Sequence, residues 1–369
     1  MPESLDQPTV VRPESSFDIA ALAAWLRERV PALEGTPELL QFGRGFSNLT
    51  YLVRFPGREL VIRRAPPGIN IKSAHDMGRE FRFLSALAPV WPKVPRPIAH
   101  CDDASVIGTP FYVMERVRGV ILRAQEGPTR PGGVRDDGLV LDEATMRRLS
   151  ESACDTLAEI HRLDWRGAGL GELGKPEGYV ERQVKGWTER YRKAKTDDVP
   201  TVERLGTWLE EHRPSESGAT LVHNDYKYDN VVLAPDLSGV TAVLDWEMAT
   251  IGDPLMDLGT ALGYWIDPGD RPLLEGRSVF GPTNIPGNLS RTQFVERWSR
   301  ATGRDASNVV FYYAFALFKL AVISQQLYKR YVDGLTREER YGFMLGSVRS
   351  VTATALVAVD KGRIDRLAE

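Results

Sequence analysis

The sequence predicts a two-lobed α+β fold: a small lobe built on an antiparallel β-sheet, then a larger, mainly helical lobe. Three observations predict it. The first 117 residues read as strand- and helix-like pieces in the order β-β-β-α-β-β. The composition turns helical after a stretch rich in Gly, Pro and charge at 122–138. A short β patch between 220 and 246 then interrupts the helices. A chain of 369 residues also exceeds what one hydrophobic core usually holds. The expected division is 1–117 and 118–369.

The first fifteen residues are polar and Pro-bearing and read as a loose arm. FDIAALAAWLRERV follows with helical apolar spacing, and Ser15 and Asp18 stand in capping-box register. PELLQFG, NLTYLVRF and ELVIRR are strands bounded by Gly and Pro. GRGFSN joins the first two, and Pro56-Gly57 the second and third. SAHDMGREFRFLSALA reads as a helix with Ser73 as a possible cap. PIAHC and PFYVMERV complete the sheet.

In the second lobe, helices are expected over DEATMRRLSESACDTLAEIHRL, EGYVERQVKGWTERYRKA, TVERLGTWLEEH, DPLMDLGTALGYW and RTQFVERWSRATG, near 307–331 and near 335–360. TLVH, NVVLAP and TAVLDW form the β patch. The segment FYYAFALFKLAVISQQL, broken by Lys319, is too short and polar to span a bilayer and reads as a core helix.

Bulk composition narrows the function. Hydrophobic residues are 42% and charged residues 26%, ordinary for a globular chain. A net charge of −3 gives no reason to expect nucleic-acid binding. Two distant cysteines, Cys101 and Cys154, make neither a disulfide framework nor a zinc site. The start lacks a basic stretch followed by an apolar run, so no secretory signal is read there. A cytoplasmic location, with no membrane partner, is the expectation.

The chemistry concentrates in HNDYKYDN, His223 to Asn230, between two short strands. A tight loop can aim Asp225 and Asn230 at one site. A hydroxyl nucleophile needs a carboxylate to orient it and accept its proton. A metal bridging phosphates needs oxygen ligands, and an Asn carbonyl supplies one without charge. Lys227 stands close enough to meet a phosphoryl group in transfer. The competing reading is a polar turn whose Asp and Asn make only turn hydrogen bonds. In LDWEMATIGDP, Asp245 ends an apolar strand, a position suited to holding Mg²⁺. Asp253 before Pro254 has the pattern of a helix cap. Asp257 is a candidate brace for the catalytic loop through its backbone.

These segments resemble the aminoglycoside phosphotransferase and choline kinase family, relatives of protein kinases, through H-x-D-x-x-x-x-N and the later Asp. REFRFL, LDWE and GDPLMDLG resemble the branch found as free-standing bacterial phosphotransferases and as a kinase-like domain fused to acyl-CoA dehydrogenases. The resemblance implies a bilobal protein-kinase-like fold and an ATP- and Mg²⁺-dependent phosphotransferase acting on a hydroxyl of a small molecule. It implies Asp225 as catalytic base, Lys227 beside it, His223 as support for the loop, and Asn230 and Asp245 as metal ligands.

For the nucleotide it implies the loop containing Gly43, Gly45, Ser47 and Asn48, whose glycines let the backbone approach phosphate. The family's strand lysine is replaced by Arg63 or Arg64. Alternation puts these on opposite faces, and Arg63 is taken as the inward one, paired with Glu80. Met114, Glu115 and Val117 match the hinge that meets adenine.

The acceptor stays open: an unknown hydroxylated metabolite, a hydroxyacyl-CoA or an aminoglycoside, in that order. It is expected under the 121–139 loop, with Trp265 as a candidate lining residue and the arginines of 116–135 as candidate phosphate contacts. A non-catalytic nucleotide-binding scaffold and a protein kinase are the alternatives. Against the latter, no Asp-Phe-Gly or Ala-Pro-Glu brackets an activation segment. His161 ends a helix, where the dipole favours a cation. Trp25, Trp187 and Trp208 read as helix packing.

Overall fold

The computed structural model describes residues 7–43, 48–66, 76–123, 133–135, 137–267, 270 and 282–369. Its amino-terminal part is a six-stranded antiparallel sheet of β1 (Thr9–Val10), β2 (Glu38–Phe42), β3 (Leu49–Phe55), β4 (Arg58–Arg64), β5 (Pro97–Cys101) and β6 (Phe111–Glu115), in the order β1-β2-β3-β4-β6-β5. The β3–β4 hairpin turns at Pro56-Gly57, where Gly57 takes a φ of 77° that a side chain would resist. The expected loose arm is instead tied down. Thr9 and Val10 pair with Gln41 and Leu40, and the Arg12 amide donates to Gln41 Oε1 at 3.0 Å.

Alternation along β4 sorts its side chains. Leu60 and Ile62 pack with Tyr51, Val53, Phe111 and helix α1 (Ile19–Arg27) in a core of their own. Arg64 lies on that side too, donating to the Ser15 carbonyl at 2.9 Å and the Ile107 carbonyl at 2.8 Å. Val61 and Arg63 therefore face the opposite way, toward the helical part. Asp18 alone caps α1, accepting from the Ala20 and Ala21 amides. Ser15 sits in a preceding 3₁₀ turn, so the capping-box expectation fails. Asp76 caps α2 (Met77–Leu87). The proposed cap Ser73 lies outside the described residues.

The helical part contains α3 (Glu143–Arg162), α4 (Tyr179–Ala194), α5 (Pro200–Glu211), α6 (Pro254–Tyr264), α7 (Arg291–Thr302), α8 (Val309–Val332) and α9 (Met344–Lys361). The last helix begins only after a 3₁₀ turn at Glu339–Phe343, later than the sequence suggests. Helix α8 spans 24 residues and contains an 18-residue window of mean hydropathy 1.3, so by length and composition it could cross a bilayer, contrary to expectation. Two thirds of that apolar window is nevertheless buried in the fold, where α8 packs against α6 and α9. Two small ribbons carry the functional loops: β7 (Thr220–Val222) with β10 (Thr250–Gly252), and β8 (Val231–Leu233) with β9 (Val240–Val243). Strand β10 was not foreseen. It comprises only three residues, and its glycine weakens any strand signal.

The chain passes from β6 into the helical part through Gly119. There Val120 and Leu233 exchange backbone hydrogen bonds of 2.9 and 2.8 Å. A Cβ at Gly119 would lie 2.3 Å from the Leu233 carbonyl oxygen. Backbone cannot rotate aside as a side chain can, so Gly119→Ala should push the crossing away from β8. We expect about 1–3 kcal/mol of destabilisation, read from the shift in urea midpoint at unchanged slope.

Candidate active site

The site is built from the two ribbon loops and from β4. Between β7 and β8 runs the segment His223 to Asn230; after β9 comes Asp245. The Leu244 amide donates to the Asn230 carbonyl at 2.8 Å, so the β8–β9 pairing sets Asn230 beside Asp245. Asn224 and Asp245 both adopt left-handed backbone, each with a φ of 65°. Asn and Asp tolerate that region better than other side chains, and such residues concentrate where geometry is fixed by surroundings.

Asp257, fully buried in the first turn of α6, holds the loop. Its carboxylate accepts from the His223 and Asn224 amides, each at 2.7 Å. His161 Nε2 lies 3.1 Å from it. Trp298 Nε1 donates to His161 Nδ1 at 3.0 Å, and an indole N–H can only donate. His161 therefore carries its proton on Nε2 and gives it to Asp257. This replaces the reading of His161 as a helix-end cation: it is 1% exposed and belongs to the brace. Burial pushes the Asp257 carboxyl up, but the hydrogen bonds from His161 and from the His223 amide hold it below the usual range. His223 spans the two loops. Its Nδ1 accepts from the Asp225 amide at 3.3 Å, and its Nε2 donates to the Leu244 carbonyl at 2.9 Å.

Asp225 projects from this braced loop. Lys227 Nζ lies 2.9 and 2.8 Å from its two oxygens. The Tyr264 hydroxyl donates to Oδ1 at 2.6 Å and Asn230 Nδ2 to Oδ2 at 2.8 Å. Burial pushes the Asp225 carboxyl up; Lys227 and Tyr264 outweigh it and hold it low, so it stays ionised. Burial likewise works against the charge on Lys227, and Asp225 reverses that, raising it. Tyr264 was not anticipated. It ends α6 and reaches the loop only because Asp257 docks the start of the same helix there.

Arg63 enters from β4, as alternation predicted. Its guanidinium contacts Glu80 Oε1 at 3.1 Å, Asp245 Oδ1 at 2.9 Å and Glu247 Oε2 at 3.5 Å. Burial weighs against its charge, but Asp245 and Glu80 raise its pKa well above the ordinary value. Glu80 also accepts from the Trp246 amide at 3.1 Å, fixing α2 to the Asp245 segment. Asn48 Nδ2 donates to Glu247 Oε2 at 2.6 Å. Of the remaining nucleotide-loop residues, Gly43 is described, while Gly45 and Ser47 lie outside the described residues. At the hinge, Met114 is buried. The Glu115 amide donates to the Arg96 carbonyl at 2.9 Å. Val117 keeps an amide with no partner among the described residues, and it packs beside Ile121, Val232 and Leu244. Trp265 is buried, stacked on Tyr228 and bonded to the Leu289 carbonyl, and it lines a small cavity with Lys227 and Tyr264. Most of the 121–139 loop lies outside the described residues.

Asn230 spends its amide nitrogen on Asp225, which leaves its Oδ1 without a partner among the described residues. Asp245 likewise keeps Oδ2 unused. Two uncommitted oxygens, one neutral and one anionic, at adjacent ribbon ends suit a hard cation such as Mg²⁺ that also binds phosphate.

The Phosphotransferase enzyme family matches residues 38–281. The chain belongs to that family. Acyl-CoA dehydrogenase family member 10 of Mus musculus is 38% identical over 302 residues, 81% of this chain but 27% of the mouse protein. The chain thus spans well under half of that relative. A crystal structure from Ralstonia eutropha JMP134, provisionally described as an aminoglycoside phosphotransferase, is 31% identical, covers 94% of this chain and 99% of its own, and has a TM-score of 0.77. Spectinomycin phosphotransferase, solved with ADP and spectinomycin, shares the fold at 12% identity and a TM-score of 0.57, covering 94% of this chain and 99% of its own.

In this phosphotransferase, Asp257→Asn would set an amide against two backbone donors and His161. The wild-type carboxyl is held low, so its stabilisation is complete above the ordinary carboxylate pKa and is lost as pH falls through the depressed value. We expect a loss of about 1–3 kcal/mol near neutral pH, shrinking toward acid. Urea denaturation of both proteins across pH measures it.

Proposed function

We propose that this chain transfers the γ-phosphoryl group of ATP to a hydroxyl of a small molecule with Mg²⁺ as cofactor. The observation that carries the reading is the convergence of four residues: Asn230 bonded to Asp225, Arg63 paired with Asp245, and the β8–β9 pairing that joins Asn230 to the Asp245 segment. Asp225, held ionised, is the base that orients the acceptor hydroxyl. Asn230 Oδ1 and Asp245 are the metal ligands, and Mg²⁺ there would neutralise charge on the phosphate oxygens. Arg63 holds phosphate, positioned by Glu80. The loop bearing Gly43, Gly45, Ser47 and Asn48 covers the nucleotide, with adenine between Met114 and the Val117 amide. His223 keeps the loop in register.

Lys227 has a specific task in this scheme. Asp225 already accepts four contacts, and a carboxylate offers about four lone-pair sites. An acceptor hydroxyl must displace one of them. Lys227 is the donor that a phosphate can draw away, and its departure both frees Asp225 and brings positive charge to the group in transfer. Nucleotide therefore prepares the base for the acceptor.

A scaffold reading has less support, because base and metal ligands are all present. A protein kinase needs a peptide-docking segment after the metal Asp. Here only a 3₁₀ turn, Trp246–Met248, and β10 separate Asp245 from the Asp253 cap of α6. The acceptor remains a hydroxylated metabolite. The mouse relative's name favours a hydroxyacyl-CoA over an aminoglycoside.

The test is ATP turnover against hydroxylated metabolites, hydroxyacyl-CoAs and aminoglycosides, with wild type and Asp225→Asn. One acceptor should stimulate turnover, and the variant should lower it about 10²–10⁴-fold while Mg²⁺–ADP still binds. Absence of both stimulation and Mg²⁺-dependent nucleotide binding would move the assignment to a scaffold.

A further inference from the structure

Beside the catalytic loop lies an open pocket of about 310 Å³ that the assignments above do not use. Its volume is that of a small-ligand site. Lys175, Arg182, Arg190 and Lys319 contribute to its wall, with Trp187 and Asn224, and among the described residues no Asp or Glu lines it. The chain as a whole has 50 acidic against 47 basic residues, so four cations with no acid is a local departure from the average. None of the four has a carboxylate within 4 Å among the described residues. Arg190 lies over the Trp187 ring at 4.6 Å, and Arg182 donates to the Glu177 and Lys175 carbonyls.

Lys319 is the unusual member. It is 4% exposed, in the middle of an apolar core helix, and its ammonium donates to the Asn224 carbonyl at 2.8 Å. Asn224 immediately precedes Asp225. Its side chain is clamped as well, accepting from the Tyr179 hydroxyl at 3.1 Å and donating to the Met248 carbonyl at 3.0 Å. The ammonium also lies 5.6 Å from the centre of the Trp187 ring, and with one carbonyl acceptor among the described residues it has unspent hydrogen-bonding capacity. Burial pulls its pKa down to about 8; Asp225 and Asp257 resist this, while Lys227 and Arg190 add to it. An anion in the pocket would reverse that penalty.

We infer that this pocket is the acceptor's recognition site and that it takes the anionic group of a hydroxylated acid or phosphate ester, with Arg190 and Lys319 as specificity-determining residues. The inference rests on the phosphotransferase reading, since the pocket adjoins Asp225 through Asn224. It runs against a polycationic aminoglycoside, which four cations with no carboxylate within 4 Å among the described residues would repel.

The experiment is calorimetric titration of the intact protein with D-glycerate, glycerol 3-phosphate and coenzyme A. ADP and Mg²⁺ are present throughout to occupy the nucleotide site. Glycerol and kanamycin serve as neutral and cationic controls. At least one anionic probe should bind, and neither control should. Which probe binds separates a carboxylate, a phosphate monoester and a pyrophosphate as the source of charge. Arg190→Glu, on an exposed helix face, should weaken binding at least about tenfold. Lys319→Met should do the same if it folds.

Glycerate is ionised from about pH 7 to about pH 9. Its affinity should therefore fall above about pH 8 in wild type, as Lys319 loses its charge, and stay level in Lys319→Met. Kanamycin binding, no anionic binding, or anionic binding indifferent to Arg190→Glu would overturn the proposal. Arg190-dependent anion binding without ATP turnover would uphold the site and count against the reaction, so the two failures separate.

Discussion

The buried carboxylate of Asp257 is the constraint from which the rest of the site follows. It collects α6, the catalytic loop and, through His161 and Trp298, helices α3 and α7 at one point. Burying a charge is costly unless it is hydrogen-bonded, and here three donors satisfy it. The loop amides it accepts belong to His223 and Asn224, so the backbone entering Asp225 is set by the position of α6. The same helix ends at Tyr264, which reaches Asp225 itself. One helix thus bonds the loop at its first turn and the candidate base at its last.

A second knot joins the sheet to the loops. Arg63 touches Glu80, Asp245 and Glu247, while Glu80 accepts from the Trp246 amide. A buried ion pair of this kind adds little to stability, because desolvation cancels much of the attraction. Its worth lies in register. It sets the inward face of β4 against the end of β9, so the cation that would hold phosphate and the carboxylate that would hold metal share a hydrogen bond. Arginine suits the position because its planar fork serves several acceptors at once and stays charged.

Much of this was legible in the sequence. Gly and Pro punctuation with apolar alternation gave the sheet, and HNDYKYDN with LDWE located the two loops. Asp257 as a backbone brace and Arg63 as the inward arginine could be read because each follows from spacing along one element. What stayed hidden depends on contacts distant along the chain. His161 joins the brace from α3, Tyr264 from the far end of α6, and Lys319 from α8. Each looked like an ordinary helical residue, since helical periodicity assigns a face but not the neighbour across it. The arm at Thr9–Val10 escaped notice because two residues paired at a sheet edge carry no periodic signal. The Ser15 cap failed because Asp18, closer to the helix start, takes the free amides.

Three aspartates near the loops differ in ways that composition cannot express. Asp257 has a side chain with no exposure and is saturated by donors of the fold. It has nothing left to offer a ligand. Asp245 is 28% exposed and keeps one oxygen uncommitted, the condition for binding a cation. Asp225 lies between, 17% exposed and fully engaged, with a lysine among its partners. A lysine on a flexible stem is the partner most readily exchanged for a phosphate. Burial and leftover acceptor capacity therefore suit the three to different tasks: Asp257 to bracing, Asp225 to holding an exchangeable partner, and Asp245 to meeting a cation.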